Sequence, residues 1–351
     1  MRNGLKIPNR SVLAAMTNKQ SHADGTLSEE EIAFLIRRAI GGFGIITTAA
    51  SHVQQSGQGW EGELGVWSDH HLPGLTNLAT KLNELGARSF VQIFHGGMRA
   101  PSDITGQQPC SASETFISEK EGFSRELSTQ EVEDTIHAFV EAAKRCESAG
   151  FDGIELHGAH GYLIAQFLGS NTNRRNDQFG GGLNERCTFL LKIIRGIRAI
   201  VDPNFAIMVR LSPVSEEIGI TLDDTKHVIE LLVKEEIDAL HISCWDVFEE
   251  QQNSRTITEE LCSVYSESIP IVSTGSVWSA KDAQFVLDQG AQAVGVARVA
   301  LPHPDWAFLV NDPTYNPSRP PFAPEELLTA QLSPTFVDYM RRWKGFVTDG
   351  R

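Results

Sequence analysis

The chain has 351 residues, and its 45 acidic against 30 basic side chains leave a net charge of −15. Such a balance repels nucleic acid and anionic lipid, so neither is an expected partner, and any phosphate-bearing ligand must be held by local basic groups. At 41% hydrophobic and 21% charged residues the composition is that of a folded globular protein.

Short apolar runs alternate with amphipathic segments along the whole length, the pattern of parallel strands joined by crossover helices. The first run, 11–16, precedes a helix over about 28–40, opened by Ser28 with Glu31 three residues on, a capping-box spacing. The second run, 44–48, leads to a helix over about 70–85, with Gly86 as its stop. After the third, 89–94, a polar excursion covers 95–127, and we expect it to cap a site. Ser128 and Glu131 open the next helix, which ends near Gly150. The remaining runs are 153–157, 206–211, 239–243, 269–274 and 293–296. Helices are expected over about 184–200, 222–234, after Thr258, over 279–289 and near 304–310, with one closing helix over 324–343. Eight such units predict a (β/α)₈ barrel, a single domain over 1–351, with a doubly wound open sheet as the alternative.

The five cysteines, Cys110, Cys146, Cys187, Cys244 and Cys262, form no C-x-x-C pair. That spacing argues against a zinc or iron–sulfur site and suits a reducing compartment. The first ten residues are polar and basic, and no apolar run reaches membrane-spanning length, so the expectation is a cytoplasmic protein.

A barrel of this type carries its chemistry at the C-terminal ends of its strands. There the sequence places Met16-Thr17, Gln92 with His95-Gly96-Gly97, His157-Gly-Ala-His160-Gly-Tyr162, Arg210, Thr274-Gly275-Ser276 and Ala297-Arg298. Gly275 and Ser276 offer backbone N–H groups before a helix, and Arg298 offers a fork-shaped cation, a combination suited to phosphate. His157 and His160 can bind a metal or donate two hydrogen bonds to one oxygen; a metal would want a third ligand, often a carboxylate. Tyr162 has the chemistry of a general acid. Arg210 on an apolar strand needs an anion, and Gln92 has both donor and acceptor edges.

The run from His157 through Tyr162, Phe167, Asn173, Arg175 and Asp177 to Gly180, Gly181 and Arg186 closely resembles the Old Yellow Enzyme family of FMN-dependent ene-reductases. The opening from Asn9 to Thr17, Val91-Gln92-Ile-Phe-His95 and Val209-Arg210-Leu-Ser resemble it too. The resemblance spans roughly residues 5–306 and implies a barrel holding FMN, with NADPH or NADH as reductant, no metal, and a homodimer or homotetramer. It implies that Ala15, Met16 and Thr17 lie beside the flavin, with Thr17 near O4 and Gln92 at the pyrimidine edge. It puts Arg210 near N1 and O2, and Gly275, Ser276, Ala297 and Arg298 on the phosphate. His157 and His160 would grip the substrate oxygen, and Tyr162 would supply a proton to an activated C=C bond. Trp60 would line the pocket, and Arg341-Arg342-Trp343 would reach a neighbouring subunit's site. The chain departs from the family pattern at Phe179, Gly182 and Ala297, where tyrosine, serine and glycine are frequent. The residues leave two other readings open: a flavin dehydrogenase working oxidatively on an amine or ketone, and a metal-dependent barrel hydrolase.

Overall fold

In the computed structural model, which describes residues 1–348, the eight apolar runs pair into one closed barrel. Its strands are β1 (Ser11–Leu13), β2 (Ile45–His52), β3 (Arg88–Phe94), β4 (Gly153–Gly158), β5 (Ala206–Leu211), β6 (Ala239–Ser243), β7 (Ile271–Thr274) and β8 (Ala293–Val296). They are neighbours in chain order and all parallel, and β8 closes on β1 with Ser11 opposite Val294. Closure leaves no sheet edge, and parallel neighbours require a crossover between each pair. The crossovers carry α1 (Glu29–Ile40), α2 (Leu72–Glu84), α3 (Thr129–Ser148), α4 (Leu183–Arg198), α5 (Leu222–Lys234), α6 (Ile257–Tyr265) and α7 (Ala280–Asp288), and α8 (Trp306–Leu309) follows β8.

Local chemistry starts these helices. Ser128 accepts the Glu131 N–H while the Glu131 carboxylate accepts the Ser128 N–H, so α3 has the full capping box. At α1 only half of that motif forms. Ser28 accepts the Glu31 N–H, but Glu31 is buried and turns its carboxylate to Asn18 Nδ2 and Ser21 Oγ, tying the segment after β1 to the helix.

Several boundaries differ from expectation. β1 ends at Leu13, because the chain turns out of the sheet at residues 14–17. β2 runs on to His52 past a register shift between Thr47 and Ala50, and β7 starts after Pro270, which has no N–H for a ladder. The single closing helix is two short ones, Pro324–Thr329 and Pro334–Met340. Gln331 between them has φ +65°, and Pro334 disfavours helical geometry in the residue before it. The excursion over 95–127 folds into a parallel pair, Cys110–Ser111 with Arg125–Glu126, and a hairpin, Phe116–Ser118 with Gly122–Phe123.

Two apolar regions hold this frame. The larger packs strands against helices around the barrel. The smaller fills the barrel floor with Val12, Ile45, Phe90, Ala206, Met208, Ala239 and Val272. The N-terminal segment plugs that floor: Leu5 and Ile7 pack against it, and the Arg2 and Asn3 N–H groups bond to Asp238. With the floor sealed, the mouth is the face left open for chemistry.

Candidate active site

At the end of β4 the chain turns through Ala159 and His160 into the short helix Leu163–Leu168. His160 has φ +57°, a conformation that costs energy for a non-glycine residue and is found where a side chain must be aimed. The turn gathers three rings. His157 and His160 stand edge to face with centroids 5.0 Å apart, and His157 and Tyr162 at 4.9 Å. Phe94 packs on Tyr162 at 4.9 Å, and Trp60 stacks behind Phe94 at 5.5 Å.

Both imidazoles are neutral. Burial pushes His157 well below its ordinary pKa, aided by His160 and Arg210. His160 meets solvent at the mouth, yet protein crowds its ring; burial first, then Arg210 and Arg99, pushes it down to about 3. His157 Nδ1 accepts the Ala159 N–H at 3.4 Å, so its own proton sits on Nε2 as a donor. His160 Nε2 lies 2.9 Å from Ser243 Oγ. Burial raises the Tyr162 phenol, which therefore keeps its proton, and its hydroxyl has no hydrogen-bond partner among the described residues.

Below these rings lies a polar layer that the sequence reading only partly foresaw. Gln92 and Glu155 sit opposite each other on β3 and β4, and His157, Arg210 and His241 share one register across β4, β5 and β6. Glu155 and His157, two apart on one strand, both face inward. Glu155 accepts from Gln92 Nε2 at 2.6 Å and from His241 Nδ1 at 2.6 Å, and Thr274 Oγ1 donates to His241 Nε2 at 2.6 Å. Burial raises the Glu155 carboxyl, but His241, Arg210 and Gln92 together hold it below its ordinary value, so it is ionised. Burial keeps His241 neutral. Gly295 makes room for this arrangement, since a Cβ there would lie 1.8 Å from Thr274 Oγ1. His241 went unnoticed in the sequence; its signal was an ionisable residue inside an apolar strand.

Arg210 is buried, donates to Ser243 Oγ at 3.1 Å and to Ala15 O at 3.4 Å, and leaves Nε with no partner. Ala15, Met16 and Thr17 are half-buried just beyond β1. Across the barrel, Gly275 ends β7 where a Cβ would lie 2.6 Å from Cys244 O, and Ser276 follows with φ +56°. Ala297 and Arg298 follow β8, and the exposed Arg298 guanidinium has no ion pair or hydrogen bond among the described residues. α1 braces this side: its fully buried Arg38 donates to Ala300 O at 3.1 Å and to Leu301 O at 2.8 Å. Arg38, too, was not anticipated from sequence.

The long run after β4 is largely structural. Arg175 is buried, pairs with Asp177 at 2.6 Å and donates to Ala112 O at 3.0 Å, and Asn173 Nδ2 reaches Phe167 O and Phe179 O at 2.7 Å each. These bonds fasten the excursion to the end of β4. The excursion in turn delivers Arg99, which donates to His160 O at 2.9 Å and lies 5.2 Å from the Tyr162 ring. Among the described residues no three His, Cys, Asp or Glu side chains are grouped to hold a metal, and no helix is long and apolar enough to cross a membrane.

A family model described as the NADH:flavin oxidoreductase / NADH oxidase family matches residues 2–316. The chain belongs to this family. Relatives include the probable NADH-dependent flavin oxidoreductase YqiG of Bacillus subtilis, 35% identical over 89% of this chain and 86% of that one. The NADPH dehydrogenase of a Geobacillus species is 30% identical over 97% and 96%. Against the NADH:fumarate oxidoreductase of Klebsiella pneumoniae the identity is 33%, but the chain spans only 34% of that longer protein. The fold is that of the Old Yellow Enzyme homologue of Zymomonas mobilis, with a TM-score of 0.82 at 23% identity over 95% of this chain and 96% of that one. As a member of this family the chain is an FMN-dependent NAD(P)H oxidoreductase, and the metal-hydrolase alternative falls with that assignment.

The residues fit the cofactor. A buried guanidinium with an unpaired Nε, a Gln92 whose Nε2 is fixed, a glycine turn with close backbone and an arginine without a partner among the described residues are donors suited to an anionic, ring-bearing group.

Proposed function

We propose that the protein reduces C=C bonds activated by a carbonyl or nitro group, at the expense of NADPH or NADH. The observation that carries this reading is the trio at the end of β4: a neutral imidazole, His157, with a second neutral imidazole and a protonated phenol each within 5.0 Å of it, centroid to centroid. When bound, FMN supplies the hydride, delivered to the carbon β to the activating group.

The rest is the work of the chain. His157 Nε2–H and the His160 ring donate to the substrate oxygen and draw electron density from the alkene, the role of a preorganised oxyanion site. Because both rings are uncharged donors, they polarise without protonating the oxygen. Tyr162, with its hydroxyl unpaired, gives its proton to the α-carbon. Arg210 holds a positive charge at the depth of the polar layer, where negative charge accumulating on a reduced cofactor would be stabilised, and Gln92, oriented by Glu155, reads the cofactor's pyrimidine edge. Ala15, Met16 and Thr17 border that ring, and Gly275, Ser276, Ala297 and Arg298 hold the phosphate. The five cysteines are free and buried, which suits a reducing cytoplasm, and a homodimer or homotetramer is the assembly we expect.

Tyr162→Phe tests the reading by separating the half-reactions. Alkene reduction should slow by about 10²–10⁴-fold while cofactor reduction by NAD(P)H continues at its former rate. Equal loss of both half-reactions would remove Tyr162 from the proton transfer.

A further inference from the structure

We propose that Glu63 is a positioning residue for the proton-transfer step: its buried carboxyl folds the tip of the loop after β2 onto Phe94, and Phe94 in turn fixes the Tyr162 ring. The proposal rests on the ene-reductase reading and adds to it a residue that stands outside the reacting groups.

The loop begins and ends beside one residue. His52 closes β2 opposite Phe94, the last residue of β3. The chain leaves there and returns at 64–66, where Leu64 O accepts the His52 N–H at 3.0 Å and His52 O accepts the Val66 N–H at 3.0 Å. Its outgoing limb is tied to the end of β3: Gly57 O accepts the Gly96 N–H at 2.8 Å, and Ser56 Oγ lies 3.4 Å from His95 Nε2. Its tip, 58–60, is held from within. Trp60 O accepts from Gln58 Nε2 at 3.0 Å, and Glu63 Oε2 accepts the Gly59 N–H at 2.8 Å. Glu63 is fully buried, and its other oxygen, Oε1, faces His52 Nδ1 at 2.9 Å; neither atom has another partner among the described residues. One carboxyl therefore joins the tip of the loop to the end of β2.

From that carboxyl to Tyr162 every step is a contact. A Cβ placed on Gly59 would lie 3.1 Å from Glu63 Oε2 and 3.6 Å from Phe94 Cζ, so this backbone lies against both the carboxyl and the ring. Trp60 stacks on Phe94 with centroids 5.5 Å and planes 25° apart, and Phe94 meets Tyr162 edge to face at 4.9 Å. Trp60 has no side-chain hydrogen bond to aim it, since Nε1 is buried without a partner among the described residues, so its ring follows its backbone. The Tyr162 hydroxyl lacks a partner as well, and the packing of Phe94, His157 and Arg99 about its ring sets where its proton points. A donor held by ring contacts keeps its O–H for the substrate, but its aim depends on what presses on those contacts.

Glu63 does this without charge. Burial raises its carboxyl well above the ordinary range and pushes His52 down to about 3. A glutamine amide of the same shape can accept from Gly59 and donate to His52 Nδ1.

The experiment uses the FMN-loaded full-length protein and times two half-reactions: reduction by NAD(P)H, and reoxidation by 2-cyclohexenone. Glu63→Ala should slow reoxidation by about tenfold to a hundredfold, with the reductive half changing less than about twofold. Glu63→Gln should bring reoxidation back to within about twofold of the unmodified protein. Combined with Tyr162→Phe, Glu63→Ala should add no further slowing, because it acts through that ring. Amide hydrogen exchange at 58–60 should speed up in Glu63→Ala and stay slow in Glu63→Gln. Trp60→Leu, which breaks the stack and leaves the carboxyl, is the second variant; it should show the same split and the same lack of additivity, and it carries the test if Glu63→Ala does not fold. Equal slowing of both half-reactions, an additive double variant, unchanged exchange in Glu63→Ala or no rescue by glutamine would each overturn the proposal. An unmodified protein that reduces 2-cyclohexenone and depends on Tyr162 keeps the ene-reductase reading standing in all of these cases. Loss of either property removes that reading, and the role of Glu63 falls with it.

Discussion

The two ends of the same barrel are built on opposite rules. At the floor, Phe90, Met208, Ala239 and Val272 meet as apolar side chains with nothing to satisfy but packing. Two residues further along the same strands, Gln92, Arg210, His241 and Thr274 replace them, joined by Glu155 and His157 of β4. The floor is complete in itself. The mouth is left unfinished: among the described residues Arg210 Nε lacks a partner, and neither the Tyr162 hydroxyl nor the Arg298 guanidinium has one. A chain that spends its stable contacts at one end can hold costly polar groups ready at the other.

If that division is real, substitutions at the two ends should fail in different ways. The largest effect is expected at the floor. Phe90→Ala leaves a cavity in a fully buried site and should lower unfolding free energy by about 3–5 kcal/mol in denaturant titration. The folded fraction should still bind FMN with its former affinity; a parallel loss of affinity would mean that the two ends are not separable. At the mouth the sign is reversed. His157→Ala combined with His160→Ala should weaken phenol binding, read from the long-wavelength charge-transfer band, by about a hundredfold or more, with little change in melting temperature. An undiminished band would take the histidines out of the ligand site.

Acid should expose the cost of the buried histidines. His52 and His160 are pushed down to about 3 and His71 and His95 to about 4, in each case chiefly by burial. The folded state therefore binds fewer protons than the unfolded one below about pH 6.5. Stability from these groups is full above that pH and is lost as pH falls towards the folded values. Each of the buried His52, His71 and His95 costs about 2 kcal/mol by pH 5, and solvent screening makes the cost at the exposed His160 smaller. Glu31 and Glu63 act in the opposite sense, being raised by burial: their contribution is full below about pH 4.5 and declines as pH rises through their folded values. Melting temperature should thus fall steeply between pH 6.5 and 5; a flat profile there would show that the imidazoles are not held neutral. The smallest effect belongs to Arg298→Ala. FMN affinity should drop about tenfold, measured by flavin release on dilution, with stability unchanged, because the side chain is exposed. Full retention of FMN would take the phosphate away from β8.

Much of this was legible beforehand. The runs at 206–211, 239–243 and 293–296 match β5, β6 and β8 residue for residue, since their flanks are sharp and their interiors apolar. The His157–Tyr162 cluster was readable as a local motif. Less legible was anything that depended on distant partners. Ser28 and Glu31 had capping-box spacing, but Asn18 and Ser21 claimed the glutamate. The closing helix was drawn through Pro334, whose ring breaks it.

By itself, then, the sequence determined the alternation of strand and helix, the count of eight, and the polar identities at the strand tips, because periodicity and local caps act over a few residues. Only the tertiary structure decided which of those tips meet. The Gln92–Glu155–His241–Thr274 chain joins four strands spread over residues 92–274, and Tyr339 gathers Lys19 and Arg342 from opposite ends of the chain. Such contacts are set by barrel closure and strand register, which no local pattern encodes.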